Sequence, residues 1–361
     1  MNNSRKQRFF LRTIIVFFYL TIILFFLFLP RLQDYFFQNN TLNIYSFSEF
    51  ISFESIKEFE KKYNIKVNIK NFESNEELLT KFKITKGEGY DLITPSDYMV
   101  QLLQQEGLLH KLDHSKLPVI KELDERLLNK YYDPGNHYSL PLLWVTYGIV
   151  FKKNIFKKIP ETIGLDLLFK DPKNSYKTCM IDDFIEAMFF TSLYLFGNVH
   201  SFDDASLEKI KQRLIMQKKW LTMYLSQDIR YYLFSEIFTM AITTSANMRR
   251  ILEERDDFDF KIPLEGSLYA IENFVIPADC KKIDLVYTFL NFILEKKMAE
   301  LNSSRFGYNP SNKLAYQSID EKFLHNVNFF PDEKTFARLH LTHNNTPLKK
   351  LEEIWLEIKS R

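Results

Sequence analysis

The stretch Leu42–Val100, LNIYSFSEFISFESIKEFEKKYNIKVNIKNFESNEELLTKFKITKGEGYDLITPSDYMV, switches repeatedly between two periodicities. LNIYSF is a short β-rich run, EFISFESIKEFEKKYN repeats apolar residues at helical spacing (Ile51, Ile56, Phe59, Tyr63), and IKVNIKNF alternates with a period of two. Ser74 then stands as a helix cap before NEELLTKFKI, with Glu77 in the capping-box position. YDLITPS reads as a buried strand, and SDYMVQLLQQEGLL as a helix that Gly107 ends. Strand, helix, strand, helix, strand predicts a parallel α/β sheet, and such sheets hold ligands at the carboxyl ends of their strands.

The same style continues downstream. YSLPLLWVTYGIVFKKN (138–154) is β-rich and predicts a strand that carries the chain out of the first lobe. SFDDASLEKIKQRLIMQKKWLTMYL (201–225) reads as one amphipathic helix, LYAIENFVIPAD (268–279) as a strand, and KKIDLVYTFLNFILEKKMAELNSS (281–304) as one further helix. No repeat of solenoid period is present.

With 361 residues, 46% apolar and 26% charged, the chain is large enough for two packed lobes. Only 9 glycines occur, and neither G-x-G-x-x-G nor G-x-x-x-x-G-K-[ST] is found, which excludes those nucleotide-binding loops. Before Pro30 lie four basic residues (Arg5, Lys6, Arg8, Arg12), no acids, and an apolar run from Thr13 to Leu29. Subtracting those four charges from the formal +2 leaves −2, so the remainder has no nucleic-acid footprint. The first alanine is Ala187 and the first glycine Gly87, so no small-residue cleavage site follows the apolar run. Residues 1–30 are therefore read as an uncleaved signal anchor in the membrane, a cleaved signal peptide being the alternative, with 31–41 as a tether and the bulk outside the cytoplasm. The two cysteines, Cys179 and Cys280, could pair in an oxidising compartment.

Four segments carry a family resemblance: IYSFSEFI; YDLITPSDYMVQLLQQEGLLHKLDHSKL; YSLPLLWVTYGIVF; and PLEGSLYAIENFVIPADCKK, with FGYNPSN downstream. Between about Leu42 and Pro331 the chain resembles the extracytoplasmic spermidine/putrescine-binding proteins of polyamine ABC importers. The resemblance implies a two-lobe α/β fold of the type II periplasmic-binding-protein kind, with a ligand cleft between the lobes. Lobe 1 would comprise 42–144 plus 266–314, and lobe 2 would comprise 145–265 plus 315–361, which puts Cys280 and Cys179 on different lobes and implies free thiols. It further implies an amine ligand and membrane permease subunits as partners, with no enzymatic activity and no cofactor.

A polyamine is a chain of methylenes bearing ammonium groups, so its site needs spaced carboxylates and aromatic faces. In MIDDFIEAMFF, Asp183 and Glu186 match the family's paired acids and share a helix face three residues apart. Without the resemblance, acids there are ordinary first-turn residues, with Asp182 a good N-cap. The resemblance further assigns Phe47, Ser48, Glu49 and Phe50 to the end of the first strand, Glu49 receiving an ammonium; on local pattern alone Ser48 would be a helix cap. PSDY supplies Ser96 and Tyr98, and LYAIEN supplies Glu272 where the family has aspartate. Two expected tryptophans are replaced by Ile242 and Ala270, leaving Tyr269 and Tyr308 as substitute faces and the preferred amine length open. A rival ligand is a ferric ion held by Tyr131–Tyr132 or Tyr231–Tyr232. The absence of H-E-x-x-H, G-x-S-x-G and a cysteine metal pair weighs against an enzyme.

Overall fold

A computed structural model describes residues 14–23, 25, 27, 40–173, 176–198, 202–225, 229, 231–232, 237–342 and 346–361. Most of the predicted 1–30 anchor and the whole 31–39 stretch lie outside these. Of the anchor, residues 14–23, 25 and 27 are helical, and among the described residues no helix is long and apolar enough to cross a membrane.

The predicted alternation holds. β1 (Thr41–Phe47) pairs in parallel with β2 (Lys66–Phe72) and β3 (Leu92–Ile93), and β9 (Ser267–Val275) joins β3 antiparallel. β4 (Ser139–Lys152) then runs through the molecule. From Ser139 to Thr146 it pairs with β9; from Tyr147 to Phe151 it pairs with β7 (Met240–Thr244), which is followed by β5 (Thr178–Ile181) and β6 (Leu221–Leu225), and from Ile149 to Lys152 it also pairs with β8 (Phe258–Lys261). The result is two sheet regions sharing one long strand, a two-lobe α/β fold. Every residue of β4 is buried, as a strand covered on both faces requires.

Local chemistry explains where the elements begin. The helix Phe53–Tyr63 starts at Ser52, whose hydroxyl accepts from the Ser55 amide at 3.1 Å. Ser48 is too early, because Glu49 adopts φ 67°, outside helical backbone. Ser74 caps Asn75–Thr85 as expected, but Glu77 reaches back to the Glu73 amide at 2.8 Å rather than to Ser74.

Two sequence readings are corrected. The stretch 201–225 is a helix only over Asp204–Lys218, and its last five residues form β6, which ends the strand order beside β5. The stretch 281–304 is two helices, Ile283–Ile293 and Lys296–Phe306, broken where Glu295 turns extended (ψ 154°). Gly307 (φ 79°) ends the second. A Cβ there would lie 2.7 Å from the Ala246 carbonyl, so only glycine lets this turn approach the helix Ser245–Leu252. The helix Leu348–Ser360 buries Leu351, Trp355 and Ile358 against the core around β5 and the helix Phe184–Phe196. Both cysteines are free.

Candidate functional site

A cleft of about 520 Å³ opens between the two sheet regions, and all eleven expected site residues line it: Phe47, Ser48, Glu49, Phe50, Ser96, Tyr98, Asp183, Glu186, Tyr269, Glu272 and Tyr308. They come from the carboxyl end of β1, the start of the helix Asp97–Gln105, the start of the helix Phe184–Phe196, β9 and the turn after Gly307. Eight of the eleven, Phe47 to Phe50, Ser96, Tyr98, Asp183 and Glu186, sit at or just beyond a strand end or at a helix N-terminus, where an α/β sheet collects ligands.

The charge of the lining is one-sided. Eight carboxylates (Glu49, Glu73, Glu76, Asp97, Asp182, Asp183, Glu186, Glu272) face the cleft, and no lysine, arginine or histidine is among the described residues lining it. Two of the eight are neutralised from outside: Glu49 by Arg250 (2.6 Å and 3.3 Å) and Asp182 by Lys359 (3.1 Å). Asp182 is therefore not the helix cap. Asp183 is, its Oδ1 accepting from the Glu186 amide at 2.9 Å.

Glu186 accepts a hydrogen bond from the buried Tyr147 hydroxyl through Oε1, while its buried Oε2 has no hydrogen-bond partner among the described residues. Burial pushes its carboxyl well above the ordinary range, and the neighbouring Asp183 pushes it further. Burial likewise raises Asp183 to about 6 despite the backbone N–H groups it accepts. On the facing side Glu272, 7% exposed, accepts from the Ser96 hydroxyl at 3.0 Å and is raised by burial, then by Asp97, to about 8. Ser96 thus spends its hydroxyl on Glu272 and makes no side-chain cap for its own helix. Carboxylates crowded this way are waiting for positive charge: a cation that enters gains several partners, whereas an anion meets none.

The aromatic wall also assembles. Phe47 packs against Phe50 (5.4 Å between ring centroids), and Phe50 meets Tyr308 edge-on at 5.5 Å. Tyr98 donates to Glu76 at 3.1 Å, and Tyr269 is buried in the cleft floor. Ile242 and Ala270 line the cleft where tryptophans were expected, so the flat faces over the methylene path are phenylalanine and tyrosine. Tyr147, Glu76, Asp97 and Arg250 were not singled out from the sequence. Tyr147 and Asp97 sit within quoted family segments, but Glu76 and Arg250 depend on contacts between distant parts of the chain.

The tyrosine doublets lie elsewhere. The hydroxyls of Tyr131 and Tyr132 donate to the Thr342 carbonyl (2.6 Å) and to Asn273 (3.0 Å); Tyr231 is 74% exposed, and none of the four lines the cleft. Among the described residues no group of three His, Cys, Asp or Glu is arranged to hold a metal.

A family model described as bacterial extracellular solute-binding protein matches residues 54–331. The spermidine/putrescine-binding periplasmic protein 1 of Haemophilus influenzae is 30% identical over 325 residues, covering 89% of each chain. The putrescine-binding periplasmic protein PotF of Escherichia coli is 28% identical over 345 residues, covering 90% of this chain and 92% of its own. The solved structure of the spermidine/putrescine ABC transporter substrate-binding protein PotD of Streptococcus pneumoniae superposes with a TM-score of 0.77 at 28% identity, covering 89% of this chain and 99% of its own.

Proposed function

The chain belongs to the family of bacterial extracellular solute-binding proteins, and from that premise we propose that it binds a polyamine of the putrescine/spermidine class in its cleft and delivers it to the permease of an ABC importer. The observation that carries this reading is the lining itself: eight carboxylates, no described basic residue, and an aromatic wall. Ammonium groups would seat against Asp183–Glu186 on one side and Glu272 on the other, with Phe47, Phe50, Tyr269 and Tyr308 against the methylenes. ATP hydrolysis belongs to another subunit in this scheme.

The proposed lobes are 42–144 with 266–314, and 145–265 with 315–361. In support, β4 changes partners from β9 to β7 between Thr146 and Tyr147, close to the first boundary. The acids then fall on opposite lobes, so a dication satisfies both sets only when the lobes approach, and binding favours closure. The proposal includes an N-terminal membrane anchor that holds the lobes outside the cytoplasm. Its support is the basic flank, the apolar run Thr13–Leu29 and the exposed apolar side chains of the described helical positions, Phe17 at 72% among them.

Thermal denaturation with putrescine, spermidine, ferric citrate and a neutral sugar tests the ligand class, since only a ligand of the native state raises the melting temperature. Protection by amines alone is expected. Protection by ferric citrate or sugar alone would reject the reading.

The Glu49–Arg250 pair links a cleft-lining acid of one proposed lobe to a residue of the other. Both partners are partly exposed, so the pair is worth about 1 kcal/mol or less. Replacing Arg250 by Gln is expected to speed amine dissociation by about fivefold at low ionic strength, with the difference shrinking at high salt. Stopped-flow displacement measures this, and an identical dissociation rate in both proteins would show that the pair does not hold the bound state shut.

A further inference from the structure

Asp97 holds none of the positions to which the resemblance gave an amine contact, yet it lines the same cleft and is only 2% exposed. It follows Ser96, the backbone partner of Glu272 in an antiparallel bridge, and it is near enough to Glu272 to act on that carboxyl. Its Oδ1 accepts from the Tyr98 amide at 2.6 Å and lies 3.4 Å from the Thr342 hydroxyl. Its Oδ2 has no hydrogen-bond partner among the described residues, and the only other cleft carboxylate oxygen in that condition is Oε2 of Glu186. Structures rarely leave such an atom unsatisfied without a reason, because a buried acceptor with no donor is destabilising. The helix Asp97–Gln105 uses this acid through Oδ1 alone, which takes the first-turn amide of Tyr98 while Ser96 at the N-cap makes no side-chain cap; that role leaves Oδ2 unexplained.

We propose that Asp97 is a further ammonium-binding acid of the cleft, forming with Glu272 a subsite for one charged amine of the ligand while Asp183 and Glu186 receive another. The inference rests on the amine reading and deepens it. An ammonium group brings two or three N–H donors, which matches the unfilled Oδ2 and the remaining acceptor capacity of Glu272. The ionisable groups that act on Asp97 or feel it are Glu272, Glu186, Tyr131, Tyr132 and Tyr269, and none supplies positive charge. Burial raises Asp97 to about 7, even though the backbone N–H groups of Tyr98 and Ile271 and the Thr342 hydroxyl favour its charged form. The subsite therefore carries protons near neutral pH, and an arriving ammonium expels them.

Calorimetry of putrescine and spermidine at pH 7.5, in two buffers of different ionisation enthalpy, reads affinity and proton release together. Asp97→Asn keeps the size and the Oδ1 acceptor, and Asp97→Ser, which also suits a helix start, is the second variant should the first fail to fold. The expected result is amine affinity weakened by about thirtyfold with fewer protons released, and a ligand-free melting temperature no lower than that of the unmodified protein. Equal affinity and equal proton release, with the unmodified protein binding normally, would remove Asp97 from the site and leave the amine reading intact. No amine binding by the unmodified, folded protein would overturn both.

Discussion

Glu186→Gln is expected to weaken polyamine binding by about 2 kcal/mol, roughly thirtyfold, the range seen when one member of a desolvated charge pair is neutralised. Glutamine keeps an oxygen for the Tyr147 hydroxyl, so the helix Phe184–Phe196 and its packing on β4 should survive. What disappears is the negative charge next to the unpartnered Oε2, the atom best placed for an ammonium. At 4 Å and an effective dielectric near 20 that attraction is about 4 kcal/mol, and part of it is offset because the neutral side chain is easier to bury. Asp183→Asn should cost a comparable amount while leaving the helix capped, since asparagine accepts the Glu186 amide equally well. Titration calorimetry on each variant checks both, and unchanged affinity in the two would exclude these residues from the site.

The ligand-free protein is expected to melt at a higher temperature at pH 5 than at pH 8, by about 5 °C, and a saturating amine should remove most of that slope. The sign follows from the cleft acids. Asp183 is raised to about 6, Asp97 to about 7 and Glu272 to about 8, all by burial first. Between the ordinary carboxylate range near pH 4 and these raised values the native state binds more protons than the unfolded chain. Stability from these groups is fully present below about pH 4 and is lost as pH rises through 6 to 8. A loss on the order of 2 kcal/mol allows for water reaching the cleft. Asp124, buried but held below the ordinary range by its hydrogen bonds to Arg126 and Tyr316, acts in the opposite sense but only as pH falls below about 4, outside this window. A bound dication stabilises the charged carboxylates, so its protective effect should grow with pH. A flat ligand-free profile from pH 5 to 8 would contradict the buried-acid account.

Much of the fold was legible because its signals are local. Ser74 followed by Glu77, the period-two run of β2 and the bounded strand β1 each specify an element within a dozen residues. The cleft was legible for a different reason: the resemblance fixed eleven positions that lie up to 261 residues apart, from Phe47 to Tyr308, and all of them meet at one opening. What escaped depends on long-range contact. Ser52 rather than Ser48 starts its helix partly because the Ser52 amide donates to Asn302, 250 residues away. Leu221–Leu225 follows a charged helix in the sequence and becomes a strand only because β5 is there to pair with it. Glu49 looked free for a ligand until Arg250, 201 residues on, took it. Asp97 carried no assignment within PSDY, and only its burial in the cleft that Glu272 also lines marks it as something more.

The most direct test of the central claim is calorimetric titration of the unmodified protein with putrescine and, in parallel, with 1,4-butanediol, which has the same methylene chain but no charge. The cleft chemistry predicts saturable binding of putrescine accompanied by proton release, and no detectable binding of the diol. Failure of putrescine and spermidine to bind, or equal binding of the diol, would show that the carboxylate cleft is not a polyamine site.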